Sequence, residues 1–218
     1  MGIPVFILGK SGSGKSASLR NFAPKEVLIM NVASKPLPFR NGKEFTKING
    51  AGYEMIFNSL KSDKFKKKYK TCVIDDSQYL MAFDSFSKAN VKGYEKFTAM
   101  AVNFYNLLQL IIKNMPDDVI VYLLHHTDTD ENGDTKAKTI GKMLDQQLTI
   151  EGLVSIVLMT KIESGKYYFL TKSDGHTPVK TPMDMFADTL IDNDLKAVDT
   201  AIREYYGLND TKEDNKNE

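Results

Sequence analysis

The chain has 218 residues, 42% of them hydrophobic and 26% charged, with 29 basic against 28 acidic side chains and a formal net charge of +1. That length holds one large domain or two small ones with a full hydrophobic core, and the charge balance excludes a histone-like, polyanion-coating protein. The single Cys72 excludes an internal disulfide framework and a cysteine-rich zinc site, and it fits a reducing cytosolic compartment.

No apolar run reaches the roughly 20 residues needed to cross a bilayer, so no membrane partner is expected. In chain order, the first element is a strand at 3–8. It lacks the basic start of a signal peptide and runs directly into a glycine-rich motif. That motif, Gly9-Lys10-Ser11-Gly12-Ser13-Gly14-Lys15-Ser16, matches the phosphate-binding pattern G-x-x-x-x-G-K-[ST] at every fixed position. Glycines let the backbone turn tightly and aim its N–H groups at phosphate oxygens. Lys15 supplies a point charge for the β and γ phosphates, and the Ser16 hydroxyl is a Mg²⁺ ligand. A helix over 16–22 adds its positive end. The expected nucleotide-binding set is therefore Gly9, Lys10, Ser11, Gly12, Ser13, Gly14, Lys15, Ser16 and Ala17, with ATP and Mg²⁺ as the ligands.

A strand at 27–31 and a helix at 53–60 follow. Residues 61–70 carry Lys61, Lys64, Lys66, Lys67, Lys68 and Lys70, with Phe65 and Tyr69 between them. This is either a phosphate-tracking stretch with stacking aromatics or a solvated helix end, and the second reading is preferred. The strand 71–74 runs into Asp75 and Asp76. Asp75 is the expected Walker B carboxylate for the metal. Asp76 either polarises the attacking water or caps the next helix. Helices are expected over 78–86 and 94–115. In the latter, Phe97, Met100, Ala101, Phe104, Leu107, Leu108, Ile111 and Ile112 repeat at helical spacing, and Pro116 ends it.

The strand 119–124 ends in His125 and His126. His126 is the candidate γ-phosphate sensor, with His125 as the alternative that strand alternation leaves open. From 130 to 142 the chain is polar and lysine-dotted, either a nucleic-acid-contacting loop or a plain solvated hairpin. Strands at 154–159 and 167–171 form a hairpin around 161–166. A helix over 194–206 stops at Gly207. The tail 209–218 is polar and expected to be disordered. Early strands with consecutive apolar residues, alternating with helices, argue for a parallel sheet buried on both faces. The expected architecture is one α/β domain over 1–208. It has a mostly parallel central sheet, helices on both faces and a C-terminal antiparallel edge hairpin.

Together these segments resemble phage-encoded nucleotide-binding proteins with a single RecA-like P-loop domain (the AAA_24 type), related to phage single-strand-annealing recombination ATPases. The resemblance covers roughly residues 3–206. Beyond the 9–16 motif and Asp75-Asp76, it rests on 29–39, 73–81, 125–128, 139–145 and 149–152. It implies a RecA-like ATPase, a homo-oligomer and a role in phage DNA recombination or replication in the host cytoplasm. The partners implied are single-stranded DNA or a phage single-strand-binding or recombination protein. P-loop domains gain hydrolysis from a cation supplied across an interface, and Lys172, Lys180 and Arg203 are the candidates. A nucleotide-dependent scaffold is the main alternative. A small-molecule kinase is disfavoured because only Arg20, Arg40 and Arg203 exist to build an arginine lid. A GTPase reading of 159–163 is weakened by Glu163 in the acidic place.

Overall fold

The computed structural model describes residues 1–90, 92–93, 95–141, 144 and 148–208. The expected start of a helix at 94, parts of the segment 139–145 including Lys142, and the tail 209–218 lie outside these residues. Among the described residues no helix is long and apolar enough to cross a membrane.

The six residues of β1 (Ile3–Leu8) are all apolar, and all but the first are buried. Such a strand needs cover on both faces, and it takes the middle of the sheet. Five further strands run parallel with it or with each other: β2 (Val27–Asn31), β3 (Thr46–Asn49), β4 (Thr71–Asp75), β5 (Ile120–His125) and β8 (Ile156–Glu163). Strands β9 (Lys166–Leu170) and β10 (Leu190–Asp192) add antiparallel pairs. The order is β10-β9-β8-β1-β5-β4-β2-β3. The chain thus fills one side of β1 first and then crosses to the other, and the crevice at such a reversal is where open α/β sheets hold ligands.

Two apolar layers cover the sheet. One face packs against α1 (Tyr53–Lys61), α2 (Asp63–Lys68), α3 (Gln78–Ser87) and α4 (Glu95–Asn114), through Ile56, Leu60, Phe65, Leu80, Phe104 and Leu108. The other packs against Leu19, Phe22, Phe186 and the helix α5 (Leu195–Tyr205), through Leu195, Val198 and Ile202. Side chains close two of the helix starts. Ser62 accepts from Phe65 N at α2, and Asp194 accepts from Lys196 N and Ala197 N at α5.

Several expectations need correction. The segment 16–22 is a six-residue 3₁₀ helix, Ser16–Asn21, because Phe22 turns extended into the core and Pro24 follows. The 164–165 turn is tight, with Ser164 and Gly165 both at positive φ, so β8 runs on to Glu163 and β9 starts one residue earlier than expected, at Lys166. That hairpin is not the edge of the sheet, since β10 pairs outside it. The polar segment after His126 takes the hairpin form of its two readings, β6 (Thr127–Thr129) with β7 (Thr135–Ala137). Asp130 Oδ1 closes its turn by accepting from Asn132 N and Asp134 N, both at 2.9 Å. Phe65 and Tyr69 are buried core anchors, which removes them as base-stacking platforms. Their lysines precede β4, at the opposite end of the sheet from the 9–16 loop that follows β1.

Arg203 is also corrected. Its guanidinium donates to Asp199 Oδ2 at 2.8 Å, Asp118 O at 3.0 Å, and Lys70 O and Thr71 Oγ1 at 2.9 Å. Asp199, buried, also accepts from Tyr122 Oη at 3.0 Å and Thr71 Oγ1 at 3.1 Å. All three nitrogens of the fork are bonded to oxygens of its own chain, where β4 and β5 begin, so Arg203 is no free cation for a neighbour. Removing one partner of a buried pair leaves the other charge uncompensated. Arg203→Met is expected to lower stability by about 3 kcal/mol, read as a fall in the urea midpoint; an unchanged midpoint would refute this anchoring role.

Candidate functional site

In a parallel sheet all the C-terminal strand ends share one edge, and this sequence places polar residues at each. Leu8 pairs with His125 on one side and Met159 on the other. Gly9 N then donates to His125 O at 3.1 Å. Residues 11–16 of the loop, the Asp75-Asp76 pair and His126 therefore meet around one open cavity of about 850 Å³.

The loop is held from below. Thr160 Oγ1, on β8 just past its pairing with β1, lies 2.6 Å from Ser13 Oγ and 3.2 Å from Leu8 O. Ser13 Oγ in turn donates to Lys10 O at 2.7 Å. A Cβ at Gly9 would fall 1.9 Å from Thr160 Oγ1, so only glycine fits under this clamp. Thr160 is buried in that task. Gly12 and Gly14 lie at φ +75° and +97°, left-handed conformations that favour glycine.

Lys15 folds back into the loop. Its Nζ donates to Gly9 O at 2.7 Å and Lys10 O at 2.9 Å. Burial lowers its pKa to about 8, against the pull of Asp76 and Asp75. Ser16 Oγ donates to Asp75 Oδ1 at 2.8 Å across 59 residues of chain. Burial, and then the neighbouring Asp76 charge, push Asp75 up to about 6 against that hydrogen bond. Ser16 and Asp75 thus form a matched pair of hard oxygen donors. Among the described residues no three His, Cys, Asp or Glu side chains gather into a metal cage. A pair of this kind suits Mg²⁺, which keeps waters and takes ligand phosphates to complete its shell.

Asp76 has an unusual setting. Its backbone is left-handed at φ +61°, a strained conformation for a residue with a side chain. The strain turns the carboxylate toward the cavity and away from the start of α3, where Ser77 is the cap and no side chain closes the turn. Lys35 Nζ pairs with Asp76 Oδ2 at 2.5 Å, and His126 Nε2 lies 3.3 Å from Oδ1. Burial raises the Asp76 carboxyl, yet the His126 and Lys35 hydrogen bonds outweigh it and hold it below the usual range. Lys35 sits on the chain after β2, and nothing in the spacing of the sequence marks it as Asp76's partner.

Alternation separates the two histidines. His126 faces the cavity, with the Tyr79 ring edge-on at 5.5 Å. His125 is fully buried between Phe6 and Phe104. Its Nε2 lies 2.8 Å from Lys138 O, which only accepts, so Nε2 carries the proton and Nδ1 accepts from Ser77 Oγ at 2.9 Å. Of the cations considered for a trans role, Lys172 and Lys180 are exposed and neither lines the cavity. The far wall of the cavity holds Arg20, Lys166, Tyr167 and Asn193, none of which the motifs point to. No protein-family model matches the chain, and no curated protein matches it.

His125 gives the site a pH signature. Burial drops its pKa to about 3, while in the unfolded chain it titrates near 6.5. The unfolded state therefore binds a proton that the folded state refuses between those values. The stabilising contribution is complete above 6.5 and is lost as pH falls toward 3. Asp75, raised to about 6, works in the opposite sense, so the wild-type slope mixes both. His125→Gln removes only the first component. Urea titrations at pH 7 and pH 5 are expected to show a smaller loss on acidification in the variant; an equal or larger loss would contradict the neutral buried state.

Proposed function

We propose that this chain is a Mg²⁺-dependent ATPase of RecA-like P-loop type, acting in phage DNA recombination or replication. The observation that carries the ATPase reading is the 2.8 Å contact between Ser16 Oγ and Asp75 Oδ1. It joins the end of a phosphate-binding motif to a carboxylate at a neighbouring strand tip, the pairing that a nucleotide's magnesium ion requires.

In this reading the backbone N–H groups of the 9–16 loop cradle the phosphates. Lys15 moves from the loop carbonyls to the β and γ phosphates. Ser16 and Asp75 hold the metal ion, whose chemistry is to neutralise charge on the phosphate oxygens. Asp76 orients the attacking water and takes its proton. His126, on the same carboxylate, registers the γ phosphate. The DNA role, a homo-oligomer and single-stranded DNA or a recombination protein as partner rest on the resemblance of the sequence segments.

One observation favours a second reading, a nucleotide-dependent scaffold that hydrolyses slowly. Asp76 is held below the usual carboxylate range by Lys35 and His126, which weakens it as a base. ATP turnover measured with and without single-stranded DNA separates the two. The ATPase reading expects turnover that DNA raises, and Lys15→Ala is expected to lose it by about 100-fold. Turnover at the wild-type rate in Lys15→Ala would overturn the loop assignment. Nucleotide binding without turnover, with or without DNA, would leave the scaffold.

A further inference from the structure

We propose that Tyr167 and Asn193 form the nucleoside subsite of the same cavity, an inference that rests on the phosphate-binding reading of the 9–16 loop. The topology brings them there. Strand β9 runs antiparallel to β8, so its start returns to the loop edge of the sheet. Strand β10 runs antiparallel to β9, so its end arrives at the same place. Asn193 N donates to Tyr167 O at 3.3 Å, which ties the two residues together.

Both lie against the loop. A Cβ at Gly14 would stand 2.9 Å from Tyr167 Cδ1 and 3.2 Å from Asn193 Oδ1. Tyr167 is 47% exposed and lines the cavity, an aromatic face left open beside a phosphate-binding turn. Asn193 is only 3% exposed, also lines the cavity, and its Nδ2 has no hydrogen-bond partner among the described residues. A buried amide donor without a partner is costly and rare in folded proteins, and a bound ligand is one way to satisfy it. Its position is preset: Arg20 Nη1 donates to Asn193 O at 2.6 Å, and the next residue, Asp194, caps α5.

The two groups suit a nucleoside. An aromatic ring stacks on the π-face of any base. An amide N–H matches the acceptor nitrogens and oxygens of a base or its sugar. Lys35, Asp76 and His126 line the cavity beside the Asp75 end of the loop, while Tyr167 and Asn193 line it beside Gly14. Phosphates on the loop would then leave the nucleoside on the β9–β10 side.

Calorimetric titration of the full chain with Mg²⁺–ATP and with Mg²⁺–tripolyphosphate, which has no nucleoside, tests this. Tyr167→Leu is expected to weaken ATP about tenfold and to leave tripolyphosphate unchanged. Asn193→Ala is expected to do the same; because Asn193 is buried, the half-exposed Tyr167 decides the matter if that variant fails to fold. Equal weakening of both ligands would mean that Tyr167 only braces the loop, and no weakening of ATP would remove it from the site; either result overturns the subsite. If the wild-type chain binds neither ligand, the phosphate-binding reading itself fails and the subsite falls with it.

Discussion

The candidate site depends on one constraint, the parallel register that sets β1 between β5 and β8. Leu8 faces His125 and Met159 across the two ladders. One residue further along each chain, Gly9 meets its neighbours: its N–H is fixed by His125 O, and Thr160 Oγ1 fills the space a Cβ would need. A one-residue slip of β1 would carry each side chain to the opposite face and force both packed layers to rearrange. That register therefore fixes the loop against β5 and β8 before any ligand is involved. The β4–β5 register then puts Asp75 and Asp76 beside the same loop.

The two carboxylates show how the fold separates adjacent identical groups. Asp75 is deeply buried and, among the described residues, has only a serine hydroxyl as its hydrogen-bond partner, so its charge is disfavoured. Asp76 is turned by its left-handed backbone toward Lys35 and His126, so its charge is favoured. Neighbouring acids with opposite shifts are the usual sign of divided roles. An incoming divalent ion would supply the charge that Asp75 lacks. Asp76 already has its countercharges, and any work as a base needs Lys35 or His126 to loosen.

Elements with unbroken apolar runs or a long helical period were readable from the sequence. Strands β1, β2, β4 and β5 and the helix α4 fall within a residue or so of where the pattern puts them. The elements that escaped are short and mixed. Thr46–Asn49 and Leu190–Asp192 carry too few apolar residues to stand out, and each exists because a neighbouring strand offers it a ladder. At the site, residues inside one contiguous motif were legible, and so was Asp75 at the end of an apolar strand. Alternation decided between His125 and His126 only once the strand was seen to end on His125. Lys35, Thr160, Tyr167 and Asn193 were not legible, because each acts through a partner set by the sheet order. Arg203 misled for the same reason: a lone arginine near the end of a helix gives no sign of the four oxygens around it.

The division of labour among cations follows from their chemistry. Of the 29 basic residues only three are arginine. Two of these are spent on backbone oxygens: Arg20 on Ala17 O and Asn193 O, and Arg203 on Lys70 O and Asp118 O. A planar fork with several donors suits such fixed bracing. The cations beside the carboxylates are Lys15 and Lys35, each a single ammonium on a flexible stem. Lys15 rests on loop carbonyls and Lys35 on Asp76, partners that an incoming phosphate could replace without disturbing the fold. The arginines brace the frame, Arg20 from the cavity's own wall, and the exchangeable lysines stand beside the carboxylates.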